Sequence, residues 1–355
     1  MKVGLVGLPN AGKTTLFNAL TRAGAQTAGY PFTTVEPNVA VVPIPDERLD
    51  RVAEVVGAAP VVYETLAVHD VAGLVRGAHT GEGLGNRFLG HLRETDAIVH
   101  VVRAHADPEV PHPHGTVDPA ADVEAVETEL LMADLEQAER RLERVARQAK
   151  SLERAAVAEE AWLRELIGAL GEGRPARSVP PPAAAPEALA GLGALTAKPV
   201  LYVANVSEED GAAGVPDALA ARGSAVGLSA RIESELAELD SGEADAMRAE
   251  LGVSGDGVGR VVRAAFELLA LLSFFTADDG TDARAHAVGR GASAWDAAGK
   301  IHTDMQRGFV RAEVAPWDAL VAAGGYAGAR DAGVLRLEGR DYAVRDGDVV
   351  RIRFT

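Results

Sequence analysis

Lys13 and Thr14 close an eight-residue run, Gly7-Leu-Pro-Asn-Ala-Gly-Lys-Thr, in which two glycines bracket four residues before a cation and a hydroxyl. That spacing is the chemistry of a phosphate-binding loop. Consecutive backbone N–H groups cradle phosphate oxygens at a helix N-terminus, the lysine reaches the β and γ oxygens, and the threonine hydroxyl ligates Mg²⁺. Glycines that served only a tight turn would give no reason for Lys-Thr to follow. Asn10, inside the loop, can hold a monovalent cation such as K⁺ beside the phosphates, supplying the positive charge that an arginine finger gives elsewhere.

A phosphate loop alone does not separate kinases, transporters and switch proteins, so the later motifs decide. Asp70-Val-Ala-Gly73 follows the apolar run Thr65 to His69; there the Asp70 carboxylate can hold Mg²⁺ through water, and the Gly73 N–H can meet the γ-phosphate. Loss of that phosphate would release the glycine-containing segment from Leu74 to Gly85. Upstream, Tyr30-Pro-Phe-Thr-Thr34 occupies the place of a first switch, with Thr34 preferred to Thr33 for completing the Mg²⁺ shell.

Base selection is expected from Asn205-Val-Ser-Glu208. Guanine-selective proteins of this class carry Asn-Lys-x-Asp, whose aspartate accepts two hydrogen bonds from the base. Val206 and Glu208 stand where that lysine and aspartate would be, and an unmatched buried hydrogen-bonding group costs about 1–3 kcal/mol, enough to favour ATP over GTP. Ser229-Ala230-Arg231 resembles the loop that touches the base through its backbone. Leu74 occupies the position of the water-orienting glutamine and cannot do that work. His112 in Pro-His-Pro-His-Gly and His79 are the two candidates to replace it.

The elements that must position these groups are legible as period and punctuation. Apolar runs at Val3 to Val6, Val39 to Ile44, Thr65 to His69, Ala97 to Val102, Pro199 to Ala204 and Ala225 to Leu228 read as buried strands of a doubly wound, mostly parallel sheet. From Leu131 the positions Leu135, Ala138, Leu142, Val145, Ala149, Leu152 and Ala156 step by four and three, the seam of a coiled-coil helix. The stretch is one long helix or a hairpin bending near Lys150 and Ser151, ended by the Gly and Pro residues from Gly168 to Pro182. Helices are expected around Glu233 to Leu239 and from Arg260 to about Leu272. After Ser273 short strands surround a helix at Ala294 to Ile301, a small α+β module. Its Lys300, Arg307 and Arg311 can contact RNA if they share a face.

Over the 355 residues the formal net charge is −17, which argues against coating nucleic acid by bulk electrostatics, since phosphate neutralisation needs clustered Lys and Arg. The absence of cysteine excludes a disulfide framework and thiolate metal ligation. With no leader-like N-terminus and no apolar run long enough to span a bilayer, a cytoplasmic protein without membrane contact is expected.

Taken together, Gly-Leu-Pro-Asn-Ala-Gly-Lys-Thr-Thr-Leu-Phe-Asn from Gly7, Tyr-Pro-Phe-Thr-Thr-Val-Glu-Pro-Asn from Tyr30, Val-Pro-Ile-Pro-Asp-Glu-Arg-Leu from Val42 and Asp-Val-Ala-Gly-Leu-Val-Arg-Gly-Ala-His from Asp70 resemble the YchF subfamily of Obg-like P-loop ATPases. Ala-Ala-Gly-Lys-Ile-His-Thr-Asp from Ala297, Gly308-Phe309 and Asp346-Gly-Asp348 resemble that family's TGS module. The resemblance covers essentially the whole chain. It implies an α/β protein of three parts: a G domain (1–120 and 196–272), an inserted helical coiled-coil arm (121–195) and a C-terminal β-grasp TGS domain (273–355). It further implies ATP preferred to GTP, Mg²⁺, K⁺-stimulated hydrolysis, and association with the ribosome, the large subunit included, through local rRNA or ribosomal-protein contacts. Nucleotide contacts would fall on Asn10, Ala11, Gly12, Lys13, Thr14, Thr15 and the Val206 backbone, and Mg²⁺ ligands on Thr14 and Thr34. His112 falls where the family's proposed catalytic histidine lies. The arm is shorter and poorer in lysine than the family pattern. A monomeric, ribosome-associated ATPase switch is the expected function; an Obg-like GTPase assembly factor and a nucleotide-gated binding module with incidental turnover are the alternatives.

Overall fold

The computed structural model describes residues 1–27, 38–70, 84–149, 153–208, 214–253 and 255–355. They divide into two compact units, Met1–Val42 with Ala67–Leu268, and Pro43–Leu66 with Leu269–Thr355.

In chain order the elements are β1 (Lys2–Val6), α1 (Lys13–Thr27), β2 (Val39–Ile44), α2 (Glu47–Val56), β3 (Val61–Val62), β4 (Glu64–Asp70), α3 (Leu84–Arg93), β5 (Ala97–Arg103), α4 (Pro119–Ala149), α5 (Arg154–Gly171), α6 (Ala188–Leu192), β6 (Val200–Asn205), α7 (Asp217–Ala220) and β7 (Ala225–Leu228). They continue as α8 (Ala230–Leu236), α9 (Ser241–Glu250), α10 (Gly257–Leu268), β8 (Leu271–Ala277), β9 (Ala283–Gly289), α11 (Ala294–Ile301), α12 (Thr303–Arg307), β10 (Phe309–Pro316), α13 (Trp317–Ala322), α14 (Tyr326–Asp331), β11 (Arg336–Glu338) and β12 (Asp348–Phe354).

The first unit is built on a six-stranded sheet of order β2-β4-β1-β5-β6-β7, with β4, β1, β5, β6 and β7 mutually parallel. Because side chains alternate across a strand, the even-numbered His100, Val102, Tyr202 and Ala204 face one side, where Val102, Tyr202 and Ala204 pack with Val123 of α4 and Leu219 of α7. Val99, Val101, Leu201 and Val203 face the other side and are equally buried, with α10 lying over β5, β6 and β7. Strands buried on both faces explain the continuous apolar runs. Leu89 and Leu92 of α3 meet Val126 and Leu130 of α4 over Val6 and Ile98. The order places β4 and β5 on opposite sides of β1, so the loop after β1 sits at the point where the winding reverses, where open α/β sheets bind ligands.

The coiled-coil stretch is a hairpin. Ala138 and Val145 of α4 are buried with Trp162, Leu163 and Leu166 of α5, and Arg141 Nε lies 2.7 Å from Glu159. Lys150 and Ser151, where the bend was placed, lie outside the described residues.

Three boundaries differ from the sequence reading. The helix expected to reach Leu272 stops at Leu268, and Leu271 and Leu272 already belong to β8; Ala270 between them has φ 51°, which no helix continues through. The helix expected at Glu233 to Leu239 begins at Ala230, capped by Ser229. Residues Pro43–Leu66, read as part of the G domain, group with the C-terminal residues: Leu49, Val52 and Ala53 of α2 are buried with Phe275, Leu320 and Val349. In that second unit a sheet of order β11-β10-β12-β8-β9-β3 carries α11, which starts at a capping box between Ser293 and Asp296. Lys300 lies 3.6 Å from Glu64 and Arg307 is within 4.0 Å of Asp304, so two of the three basic residues considered for RNA face carboxylates of their own.

Candidate nucleotide-binding site

The loop from Gly7 to Gly12 is shaped by positive φ at three positions: 152° at Gly7, 64° at Asn10 and 96° at Gly12. Close approach explains two of them. A Cβ on Gly7 would stand 2.3 Å from Val101 O, and one on Gly12 would stand 2.3 Å from Asn205 Nδ2. Asparagine tolerates the left-handed region better than other side chains, which suits Asn10. The turn is closed by Ala11 N to Leu8 O at 3.3 Å, and α1 begins with Leu16 N to Gly12 O at 2.9 Å. The N–H groups of Lys13, Thr14 and Thr15 therefore open toward the loop without helical partners.

Lys13 is 7% exposed and folds back on the loop, its Nζ donating to Gly7 O at 3.0 Å and Leu8 O at 2.7 Å. Burial brings its ammonium down to about 8, while the Asp70 carboxylate pulls the other way. Asp70 is the last residue of β4, in register with Leu5 of β1; burial raises its carboxyl against the lowering effect of Lys13. Thr14 is exposed, and Asp70 and Lys13 lie close enough to act on one another's charge; a threonine hydroxyl and a carboxylate are hard oxygen donors of the kind Mg²⁺ takes. Thr33, Thr34, Gly73, Leu74 and His79 lie outside the described residues.

Asn205 ends β6 and is buried. Its Nδ2 donates to Ala11 O at 3.1 Å and its Oδ1 accepts from Ala230 N at 3.0 Å, so one side chain ties the phosphate loop to the start of α8. Val206 is buried and its N–H donates to Leu228 O at 3.0 Å. Glu208, with a side chain 53% exposed, lies 3.2 Å from Arg231 Nε on the rim. Ser229 caps α8 by accepting from Ile232 N.

The loop after β5 is pinned from several sides. The buried Arg103 donates to His105 O at 3.0 Å, Val110 O at 2.9 Å and Asp107 O at 3.2 Å, and Asn10 Nδ2 donates to Pro111 O at 3.0 Å. His112 Nε2 is 2.9 Å from Asp122 Oδ2, with both side chains 5% exposed, and His112 Nδ1 accepts from His114 N at 3.2 Å. Both ring nitrogens are engaged in this arrangement. Sequence reasoning found His112 but missed Arg103 and Asp122; the only signal for the latter was Asp118-Pro119, the cap and first residue of α4, which puts Asp122 in the first turn.

A buried carboxylate was missed as well. Asp134 of α4, fully buried, accepts from Leu195 N at 2.8 Å, Thr196 N at 2.7 Å and Thr196 Oγ1 at 2.7 Å, and pairs with Arg93 of α3 at 3.1 Å.

A glycine-shaped phosphate loop at the carboxyl end of β1, in a parallel sheet with helices on both faces, defines a P-loop protein with a G domain. Family models agree along the chain: one described as 50S ribosome-binding GTPase matches residues 2–148, and the YchF-GTPase C-terminal model, described as a protein of unknown function, matches residues 271–355. The chain is 44% identical over 363 residues to the ribosome-binding ATPase YchF of Bacillus subtilis, spanning 100% of this chain and 99% of the relative. To its counterpart in Escherichia coli O157:H7 it is 45% identical over 360 residues, 99% of each. The solved Schizosaccharomyces pombe YchF GTPase superposes with a TM-score of 0.85 at 33% identity, over 99% of this chain and 97% of that one. The chain belongs to the YchF family.

Proposed function

We propose that this chain is an ATP-hydrolysing switch that binds the ribosome, as the names of its curated relatives state for them. What carries the reading is the buried Lys13: its charge is held over two loop carbonyls, Gly7 O and Leu8 O, at a place that phosphate oxygens would satisfy better. Triphosphate would take Lys13 from those carbonyls, seat its oxygens on the N–H groups of Gly12, Lys13, Thr14 and Thr15, and extend toward Asn10. Thr14, Thr34 and Asp70, the last through water, would hold Mg²⁺, which supplies charge neutralisation at the transferring phosphate when bound. Gly73 would read the γ-phosphate, and K⁺ beside Asn10 would raise a slow basal turnover.

Adenine is favoured over guanine because Val206 and Glu208 replace the guanine fork, and because Glu208 has Arg231 as a partner on the rim. The backbones of Val206, Ser229 and Ala230 would line the base, with Asn205 bracing the pocket from behind. His112 would orient water only after leaving Asp122. The protein would work as a cytoplasmic monomer, reporting its nucleotide state to the large subunit through the α4–α5 hairpin and the C-terminal unit by local contacts with rRNA or ribosomal protein.

Competition calorimetry with ATP and GTP, followed by co-sedimentation with 50S and 70S particles in each nucleotide state, tests this. Tighter binding of ATP and nucleotide-dependent co-sedimentation are expected. GTP binding at least tenfold tighter than ATP would refute the adenine choice in favour of a GTPase assembly factor. Intact cellular function in a turnover-dead variant would favour the gated binding module.

A further inference from the structure

Three potential ligands converge at the start of α4. His112, His114 and Asp122 each present one ligand atom, and these atoms all lie within 4.8 Å of one another. His112 Nε2 is 2.9 Å from Asp122 Oδ2, and His114 Nδ1 is 3.6 Å from Asp122 Oδ1. We propose that this cluster is a binding site for a transition-metal dication of the zinc class, separate from the Mg²⁺ position at Thr14 and Asp70.

The distances lie within reach of such an ion. A tetrahedral centre with bonds of about 2.0–2.2 Å separates its ligand atoms by about 3.3–3.6 Å; the 3.6 Å between His114 and Asp122 matches it, and the 2.9 Å between His112 Nε2 and Asp122 Oδ2 is a hydrogen-bond distance that must open by about 0.5 Å to admit the ion. The imidazole rings meet edge to face with centroids 5.8 Å apart, both directed at the same carboxylate. A second observation points to a ligand independently. Asp122 Oδ1 is buried and has no hydrogen-bond partner among the described residues, although buried carboxylate oxygens rarely go without one. A cation between Asp122 and His114 would supply it.

The donor set names the class. Two imidazoles and one carboxylate suit Zn²⁺, Co²⁺, Ni²⁺ or Fe²⁺, whereas Mg²⁺ and Ca²⁺ prefer oxygen throughout and Cu⁺ prefers sulfur. Three protein ligands leave a position open to water. Ligation has a local cost: His114 N donates to His112 Nδ1 at 3.2 Å, which leaves the ring proton on Nε2. Metal at Nε2 replaces the hydrogen bond to Asp122 Oδ2, moves that proton to Nδ1 and displaces the bond from His114 N, so binding is expected at micromolar rather than nanomolar strength. The same loop accepts a bond from Asn10 at Pro111 O, which connects the site to the phosphate loop.

The test is titration of the nucleotide-free full chain with Zn²⁺ by calorimetry and with Co²⁺ by visible d–d absorption, in excess Mg²⁺ to occupy hard-oxygen sites. One equivalent with a four-coordinate Co²⁺ spectrum is expected, with affinity at least tenfold weaker in His114→Ala and in Asp122→Asn and unchanged in His302→Ala. The His114 side chain is 42% exposed, so its truncation leaves the fold intact and keeps the test clean if Asp122→Asn unfolds. Absence of saturable binding, or binding in His114→Ala equal to wild type, overturns the proposal.

Discussion

Replacing Asn205 by alanine should destabilise the protein before any nucleotide is added. The side chain is 7% exposed and its amide serves two backbone groups, accepting from Ala230 N at 3.0 Å and donating to Ala11 O at 3.1 Å. Alanine leaves a buried carbonyl and a buried N–H without partners, each costing about 1–3 kcal/mol. The first unit should therefore lose roughly 2–6 kcal/mol, toward the lower end if water enters the vacated space. Urea denaturation of the nucleotide-free chain, followed by circular dichroism, reads the loss as a lower transition midpoint, and calorimetry reads ATP affinity in parallel. Asn205→Asp should fare no better, because one carboxylate oxygen still accepts from Ala230 while the other opposes the Ala11 carbonyl. An unchanged midpoint together with weakened ATP binding would refute the brace and make Asn205 a base contact alone.

Gly12→Ala should weaken ATP binding at least tenfold in a folded protein, because its Cβ would stand 2.3 Å from Asn205 Nδ2 at a φ of 96°; filter binding checks it, and wild-type affinity would contradict it. Lys13 is charged below its pKa of about 8 and neutral above it, while the phosphates stay anionic. ATP affinity should accordingly fall as pH rises through 8, approaching about tenfold per pH unit, and Lys13→Met should flatten the profile between pH 7 and 9.5. Asp134→Ala should cost about 3–5 kcal/mol in thermal or urea unfolding, since it removes the counter-charge of Arg93, which keeps only the Gly193 and Ala133 carbonyls, and leaves three donors at Leu195 and Thr196 without their acceptor; a loss below 1 kcal/mol would show that the network is dispensable.

The phosphate loop was legible because its conformation demands residue types at fixed spacing: glycine where a Cβ would strike Val101 or Asn205, and lysine where the helix opens. Strands of the first sheet were legible because burial on both faces makes their apolar runs continuous. The arm's seam was legible as a period, yet a period has no direction, so hairpin and single helix read alike until Arg141 was found beside Glu159. Leu268, Leu269, Ala270, Leu271 and Leu272 are uniformly apolar, and no pattern within them marks where helix gives way to strand. Asn205 was found by its motif as part of the base site, but its bonds, from Nδ2 to Ala11 O and to Oδ1 from Ala230 N, were not legible, because a motif records position and says nothing of which neighbours its amide meets. Asp122 and Asp134 look like ordinary acidic residues on a charged helix; only tertiary packing removes them from water.

Sharing one module between two distant stretches of chain has a consequence for how it is made. As the ribosome delivers the polypeptide from its N-terminus, Phe275, Leu320 and Val349 emerge more than 200 residues after the amphipathic turn of Leu49, Val52 and Ala53. For that interval the greasy stripe has only near neighbours such as Ala58 and Val61 for company, so the newborn chain must carry it shielded or solvated until its distant mates arrive. A fragment cut at residue 273 inherits the opposite half of the same bare surface.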